Sequence, residues 1–206
     1  MKYTFFFISK LLRLCYCCMC MHLSTLFTKI KFWTNNVSFG RNLESSGIPF
    51  VHLSLHASCD IGCNFTIGNW AVLNASGIKG KSKIEVRNNA HLKIGDNVGM
   101  TATTIMCFNK ILIGDNVKLG VGVHIYDTDF HNIDPMKRLA GDNIQTVKTK
   151  PVVIGNNVFI GAYSIILKGV TIGENSVIGA GAVVTKSIPA NEIWAGNPAK
   201  CVKILK

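Results

Sequence analysis

Between Tyr126 and Pro151 the chain sets one histidine, His131, among Asp127, Asp129 and Asp134, with Lys137, Arg138 and Asp142 close behind. An imidazole titrates near neutrality, so a histidine beside carboxylates can take a proton from a hydroxyl that is otherwise a poor nucleophile. Base catalysis of that kind raises a rate by about 10²–10⁴. A carboxylate accepting the second ring N–H would fix the tautomer, and Asp127 and Asp129 are both candidates. His124 and Tyr126, just ahead of the loop, are candidates for contact with an acceptor, His124 from a repeat corner. The alternative for each of these residues is an ordinary solvated or scaffold position.

What must position that loop is a repeat. Ile154, Ile160, Ile166, Ile172, Ile178 and Val184 recur every six residues, and glycine follows four of them at 155, 161, 173 and 179. A helix repeats near 3.6 residues and a strand alternates with period 2, so a sustained period of six fits neither. It fits short strands joined by corners and wound into a three-sided prism, with about 18 residues per coil. The branched residues are expected to point inward, and the glycines to supply unusual backbone at the turns. Weaker counts pass through Ile61, Ile67 and Leu73, slip near Ser76 and Gly77, and resume at Ile78 and Ile84. They continue through Ile94, Met100 and Met106, then Ile113, Leu119 and Ile125. Residues 60–125 and 153–188 therefore form one all-β parallel solenoid of about six coils. A polar insertion as long as 126–152 is where such a scaffold carries its site.

The chain divides into a helical, apolar and basic segment with a linker (1–50), the solenoid (51–190) and a C-terminal extension (191–206). Its 206 residues carry a formal charge of +11 with only 11 acidic residues, which suits polyanions, anionic lipid or a phosphorylated cofactor. Nucleic acid is a poor fit, because no basic run interleaves with aromatics. Eight cysteines, four of them in Cys15-Tyr-Cys-Cys-Met-Cys20, do not form a secreted disulfide framework and read as reduced thiols of a cytoplasmic protein. In the first 33 residues Lys10 and Arg13 interrupt the apolar run, short of the ~20 residues a membrane span needs. Phe5, Ile8, Leu12, Cys15, Met19 and Leu23 recur at helical spacing, and no acid appears before Glu44. Two readings stay open: a helix resting on an anionic membrane surface, or one capping the end of the prism.

The loop Gly122-Val-His-Ile-Tyr-Asp-Thr-Asp-Phe-His-Asn-Ile-Asp-Pro135 resembles that of the maltose and galactoside O-acetyltransferases. So do Ile154-Gly-Asn-Asn-Val-Phe-Ile-Gly161, Ile178-Gly-Ala-Gly-Ala-Val-Val-Thr-Lys186 and Ala195-Gly-Asn-Pro-Ala-Lys200. These belong to the hexapeptide-repeat acyltransferases, and the resemblance covers 94–206 well, 60–93 loosely and the first 50 residues hardly at all. It implies a left-handed parallel β-helix, an exception to the usual right-handed crossover, a homotrimer, and acetyl-CoA as acyl donor without a metal. It assigns His131 as the general base. It places Phe159 where relatives commonly have tryptophan, Ala162 and Ala180 along the pantetheine groove, Thr185 and Lys186 at the adenine end, and Lys200 and Lys203 near the phosphates. Thr101, Thr103 or a backbone N–H stand in for the family's oxyanion donor.

The expected reaction is transfer of acetyl from acetyl-CoA to a sugar hydroxyl, in capsule or lipopolysaccharide synthesis at or near the inner face of a membrane. Other acceptors, such as serine, an amino sugar or a xenobiotic, share the family motifs. A metal-dependent lyase like the γ-type carbonic anhydrases would need three convergent histidines, for which His91, His124 and His131 are the candidates. A non-catalytic spacer would have no use for the loop or for Asn197-Pro-Ala-Lys200.

Overall fold

Inward rows of branched side chains explain the architecture, and the computed structural model describes it over residues 2–69, 80–141 and 146–205, with side chains from residue 6. Leu73, Ser76, Gly77, Ile78 and Asp142 lie outside the described residues. The first coil comprises β1 (Ser38–Phe39), β2 (Glu44–Ser46) and β3 (Phe50–Leu53), and the second β4 (Ser58–Ile61), β5 (Thr66–Gly68) and β6 (Lys83–Val86). The third holds β7 (His91–Ile94), β8 (Gly99–Thr101) and β9 (Thr104–Cys107), and the fourth β10 (Lys110–Ile113), β11 (Lys118–Leu119) and β12 (His124–Tyr126). After the insertion come β13 (Val152–Ile154), β14 (Phe159–Ile160) and β15 (Ile165–Ile166), then β16 (Thr171–Ile172), β17 (Val177–Ile178) and β18 (Val183–Val184). Every third strand joins the same sheet, and all these pairings are parallel, so the chain is a three-faced β-helix. β19 (Glu192–Ala195) extends the second sheet, and β20 (Lys200–Ile204) turns back antiparallel on it.

The repeat isoleucines stack as their count predicts. Ile94, Ile113, Ile154 and Ile172 form one column, and Ile84, Ile105, Ile125, Ile166 and Val184 another. All are buried, each contributing roughly 1.5–3 kcal/mol relative to exposure. Met106 is not inward: it pairs with Glu85 and Tyr126, and Ile105 takes the column, so the count slips by one after Met100.

The glycines serve a different purpose from the one their turns suggested. Gly155, Gly161 and Gly173 do not have positive φ. A Cβ on Gly161 would lie 2.5 Å from the Ala180 amide nitrogen, and one on Gly173 2.3 Å from that of Ala190. They are glycines because the next coil passes too close for a side chain. The left-handed backbone at the corner between the first and second sheets belongs to asparagines: Asn42, Asn64, Asn97, Asn116, Asn157, Asn175 and Asn191 have φ between 56 and 60°. Each donates its Nδ2 to the Oδ1 of the next at 2.7–3.0 Å, a ladder along the prism.

The boundaries at 50 and 190 both move outward. Val37 and Leu43 are buried in the same core, so the prism begins near residue 38, and β19 carries it to Ala195. Phe39, Ser45 and Val51 keep the six-residue spacing in register with Ile61, Ile67 and Ile84, but serine at the middle position hides it from a count of branched residues. The helix α1 (Lys2–Thr34) packs on β2 through Cys20, Ser24, Thr28 and Phe32, spaced four apart. Phe32 is fully buried, its ring edge-on to Phe39 at 5.7 Å, and Thr25 Oγ1 accepts from the Ser45 amide at 2.9 Å. The capping face therefore excludes the predicted stripe: Ile8, Leu12, Met19 and Leu23 are exposed.

Candidate active site

The insertion leaves the prism at β12 as a short hairpin. Thr128 bridges Thr149 antiparallel, Lys150 N donates to Asp127 O at 2.9 Å, and Asp129 N to Lys148 O at 3.3 Å. Asp127 is fully buried and locks this base to the preceding turn: its Oδ1 accepts from Phe108 N (2.8 Å), its Oδ2 from Asn109 N (2.7 Å) and Lys110 N (2.9 Å). Burial pushes its carboxyl above the usual carboxylate range, against the pull of those amides. Asp127 is thus an anchor, and of the two orienting candidates only Asp129 keeps an oxygen for other work. Asp129 Oδ1 binds Lys168 Nζ at 2.5 Å, while its Oδ2 is buried with no hydrogen-bond partner.

Phe130 follows with φ of 62°, unusual for a bulky residue. Edge-on contacts hold its ring against Tyr126 (5.1 Å) and Phe108 (5.7 Å). The turn so enforced brings His131 N to Asp129 O at 2.7 Å and leaves the His131 side chain exposed. Beyond it, buried Asn132 donates to Thr146 Oγ1 at 3.0 Å, and Arg138 Nη1 reaches the carbonyls of Asn132 and Ile133 at 2.6 Å. Asp134 caps α2 (Pro135–Leu139) through Met136 N.

His124 lies on a strand, β12, not at a corner, and its Nδ1 shares a hydrogen bond of 2.6 Å with Tyr126 Oη. Burial raises the Tyr126 phenol above its ordinary value. Thr103 is committed elsewhere: buried, it donates from Oγ1 to Thr101 O at 3.3 Å, which leaves Thr101 of the two. His91 sits on the first sheet, hydrogen-bonded to Ser58 at 2.6 Å, and His124 on the third. Among the described residues no three His, Cys, Asp or Glu side chains group to hold a metal.

The residues expected along the cofactor groove lie on the later coils. Phe159 points outward from the second sheet, in register between Lys118 and Val177 and half exposed. Ala162 and Ala180 stack at the corner after that sheet, where Gly181 N donates to Ala162 O at 2.7 Å. A Cβ on Gly181 would meet nothing within 4 Å, so this edge is an open strip of small residues with room for a thin pantetheine arm. Thr185 and Lys186 lie exposed just past β18, and Lys200 and Lys203 lie exposed on β20. Val183 ties the two segments together, donating to Gly196 O at 3.0 Å and accepting from Ala199 N at 2.9 Å. Small residues flanked by lysines fit a cofactor with a slender arm and several negative charges. Lys168, Phe130 and Phe108 escaped the sequence reading; a lysine ending the repeat unit of β15 was the one available hint.

Residues 151–186 match the family model described as bacterial transferase hexapeptide (six repeats). The chain is 32% identical over 168 residues to WbbJ of Escherichia coli K12, named for O-acetyl transfer in lipopolysaccharide biosynthesis, covering 80% of this chain and 81% of that protein. It is 41% identical over 122 residues to nodulation protein L of Rhizobium meliloti, covering 56% of this chain and 64% of that one. A galactoside acetyltransferase solved with coenzyme A superposes with a TM-score of 0.50 at 29% identity, over 82% of this chain and 65% of that one. The chain belongs to the hexapeptide-repeat acetyltransferase family, and its prism is the left-handed parallel β-helix of that family. Against other curated relatives the match spans about half of their length, 46% and 56%.

Proposed function

We propose that this protein is an acetyl-CoA-dependent O-acetyltransferase that acetylates a saccharide hydroxyl, with His131 as general base. The observation that carries the reading is His131 held exposed at the rigid base of the long insertion, on a chain similar to enzymes named for O-acetyl transfer. Bound acetyl-CoA supplies an acetyl thioester. Lys186, Lys200 and Lys203 neutralise its phosphates, and the Ala162–Ala180 strip receives its arm. His131 takes the acceptor's hydroxyl proton as the acceptor oxygen bonds to the acetyl carbon. The carbon–sulfur bond breaks, and His131 returns the proton to the departing sulfur. Asp129, itself steadied by Lys168, is the orienting carboxylate for the ring.

The same reading takes the active form as a homotrimer, in which a neighbouring prism closes the groove. It assigns the acceptor to a surface polysaccharide such as capsule or lipopolysaccharide, in line with the relative named for that pathway. Eight free cysteines fit a reducing, cytoplasmic setting. The test is release of the coenzyme A thiol with a panel of sugars, sugar nucleotides and amines. Turnover is expected with a hydroxyl acceptor. His131→Ala should cost about 10²–10⁴ in kcat with the melting temperature unchanged. Retained turnover in that variant removes the assignment, and turnover with amines alone removes the acceptor class.

A further inference from the structure

The helix α1 has two faces, and the prism uses one. Cys20, Ser24, Thr28 and Phe32 face coil one. On the opposite side Ile8, Leu12, Met19, Leu26, Ile30 and Trp33 recur at spacings of three, four and seven and form a single apolar stripe. Every one of them is exposed, from 46% for Ile30 to 78% for Trp33. At 1.5 Å per residue the stripe is about 37 Å long, and none of the described residues covers it. Single exposed apolar residues need no explanation, but a continuous stripe of this length marks a contact surface.

We propose that this stripe docks the protein in the plane of an anionic bilayer, with the prism held behind it. Charge selects the occupant. Lys10, Arg13 and Lys29 are exposed on the same helix, Lys31 turns its Nζ to the Phe50 ring of the prism at 5.6 Å, and no acid occurs before Glu44. A second copy of the same helix would bring like charges together with nothing to balance them, whereas anionic headgroups complement them. Packing selects the mode. The helix is long and apolar enough to cross a membrane, yet its second half is bound to the first coil through Cys20–Phe32. Ahead of Cys20 the apolar run is broken by Lys10 and Arg13, where a span requires about 20 apolar residues. Lying flat satisfies the cap and the stripe together. The insertion leaves the fourth coil, three strand spacings or about 14 Å from the coil that α1 covers, so docking presents the loop close to the headgroup layer.

The inference rests on α1 and the first coil alone, and vesicle flotation reads it without any turnover. The full chain is mixed with phosphatidylcholine vesicles, with or without phosphatidylglycerol, beside the variant Leu12→Glu/Met19→Glu. The expected result is flotation with the anionic vesicles, about tenfold weaker on neutral ones and reversed by high salt. Leu12→Glu/Met19→Glu should lose flotation and keep its melting temperature, because neither side chain touches the prism. Three results overturn the proposal. The parent fails to float, or the variant floats as well as the parent. The third is binding that survives both high salt and alkaline carbonate, which means a spanning helix. Sedimentation velocity without lipid supplies a further check: a smaller assembly for the variant than for the parent assigns the stripe to a second copy and overturns the lipid reading.

Discussion

Asp127 spans the junction between scaffold and site, so its replacement by asparagine separates the two. An asparagine retains one carbonyl oxygen and turns an N–H₂ toward amides that donate. With the N–H₂ at the Oδ2 position, Asn109 N and Lys110 N lose their acceptor; at the Oδ1 position, Phe108 N does. Each bond to a charged acceptor that is lost costs about 1.5–3 kcal/mol. A neutral side chain recovers part of this, since burying the carboxylate is itself unfavourable, as the raised carboxyl titration shows. The cheaper orientation loses one such bond, so the net cost is about 1–3 kcal/mol, which in a chain of this size lowers the melting temperature by about 2–12 °C. The loop should loosen before the prism does. Trypsin cleavage at Lys137 and Arg138, both exposed on α2, is therefore expected to accelerate at temperatures where the parent resists. In the thiol-release assay kcat should fall about tenfold or more through misplacement of His131, with the KM for acetyl-CoA unchanged, because the groove lies on other coils. A variant that melts within a degree of the parent and is cut no faster by trypsin would refute the anchoring role.

Four further outcomes test the scaffold and the groove. Gly161→Ala would place a Cβ 2.5 Å from the Ala180 amide, and calorimetry should show a loss of about 1–3 kcal/mol or more; an unchanged Tm contradicts the close-approach account. Asn116→Ala loses two ladder bonds and keeps a φ of 58°, at about 2–4 kcal/mol, while Asn116→Gly relieves the backbone and costs about half as much; melting temperatures in the reverse order contradict this. Lys186→Ala with Lys200→Ala should raise the KM for acetyl-CoA far more than that for the acceptor, and the opposite pattern removes both lysines from the groove. Burial foremost, with Asp60 nearby, pushes the Cys59 thiol from 9.0 up to about 12, so it and fully buried Cys107 should resist alkylation in the native protein. Because the folded value is the raised one, the stability from neutral Cys59 is complete below pH 9 and fades as pH climbs toward 12; denaturant midpoints measured across that range check the sign.

The six-residue count made the later coils legible because each inward position repeats the same physical demand, a branched side chain over another. It was less reliable where the demand changes. Between Met100 and Ile105 the inward positions are five residues apart, so the count loses its phase at that corner. Glycine in a repeat suggests a turn, yet packing between coils is what excludes a side chain at Gly161 and Gly173. The true turn signal stood in the sequence as Asp-Asn-Val twice, then Asn-Asn-Val and Glu-Asn-Ser, with asparagine in the left-handed conformation each time. In the site, proximity along the chain made Asp127 and Asp129 equal candidates. Only folding distinguishes them, because the amides that occupy Asp127 come from residues 108–110 and the lysine that binds Asp129 from residue 168. Lys168 could not be found by spacing, since its partner lies 39 residues away across the insertion.

Those two attachments explain why an insertion of this length can hold a side chain in place. Asp127 fastens its first residues to the turn between the third and fourth coils, and Asp129 fastens the next to the end of β15 in the fifth. The loop is thereby tied to the stack on both sides of the gap it opens, and His131 emerges two residues past the second tie. Phe130 between them is driven into a strained conformation that the aromatic contacts of Phe108 and Tyr126 maintain. The position of His131 is then set by the spacing of stacked coils rather than by the loop's own preferences. A coil spacing fixed by parallel hydrogen bonds and by the asparagine ladder varies little, so the solenoid transmits its regularity to a segment that departs from it.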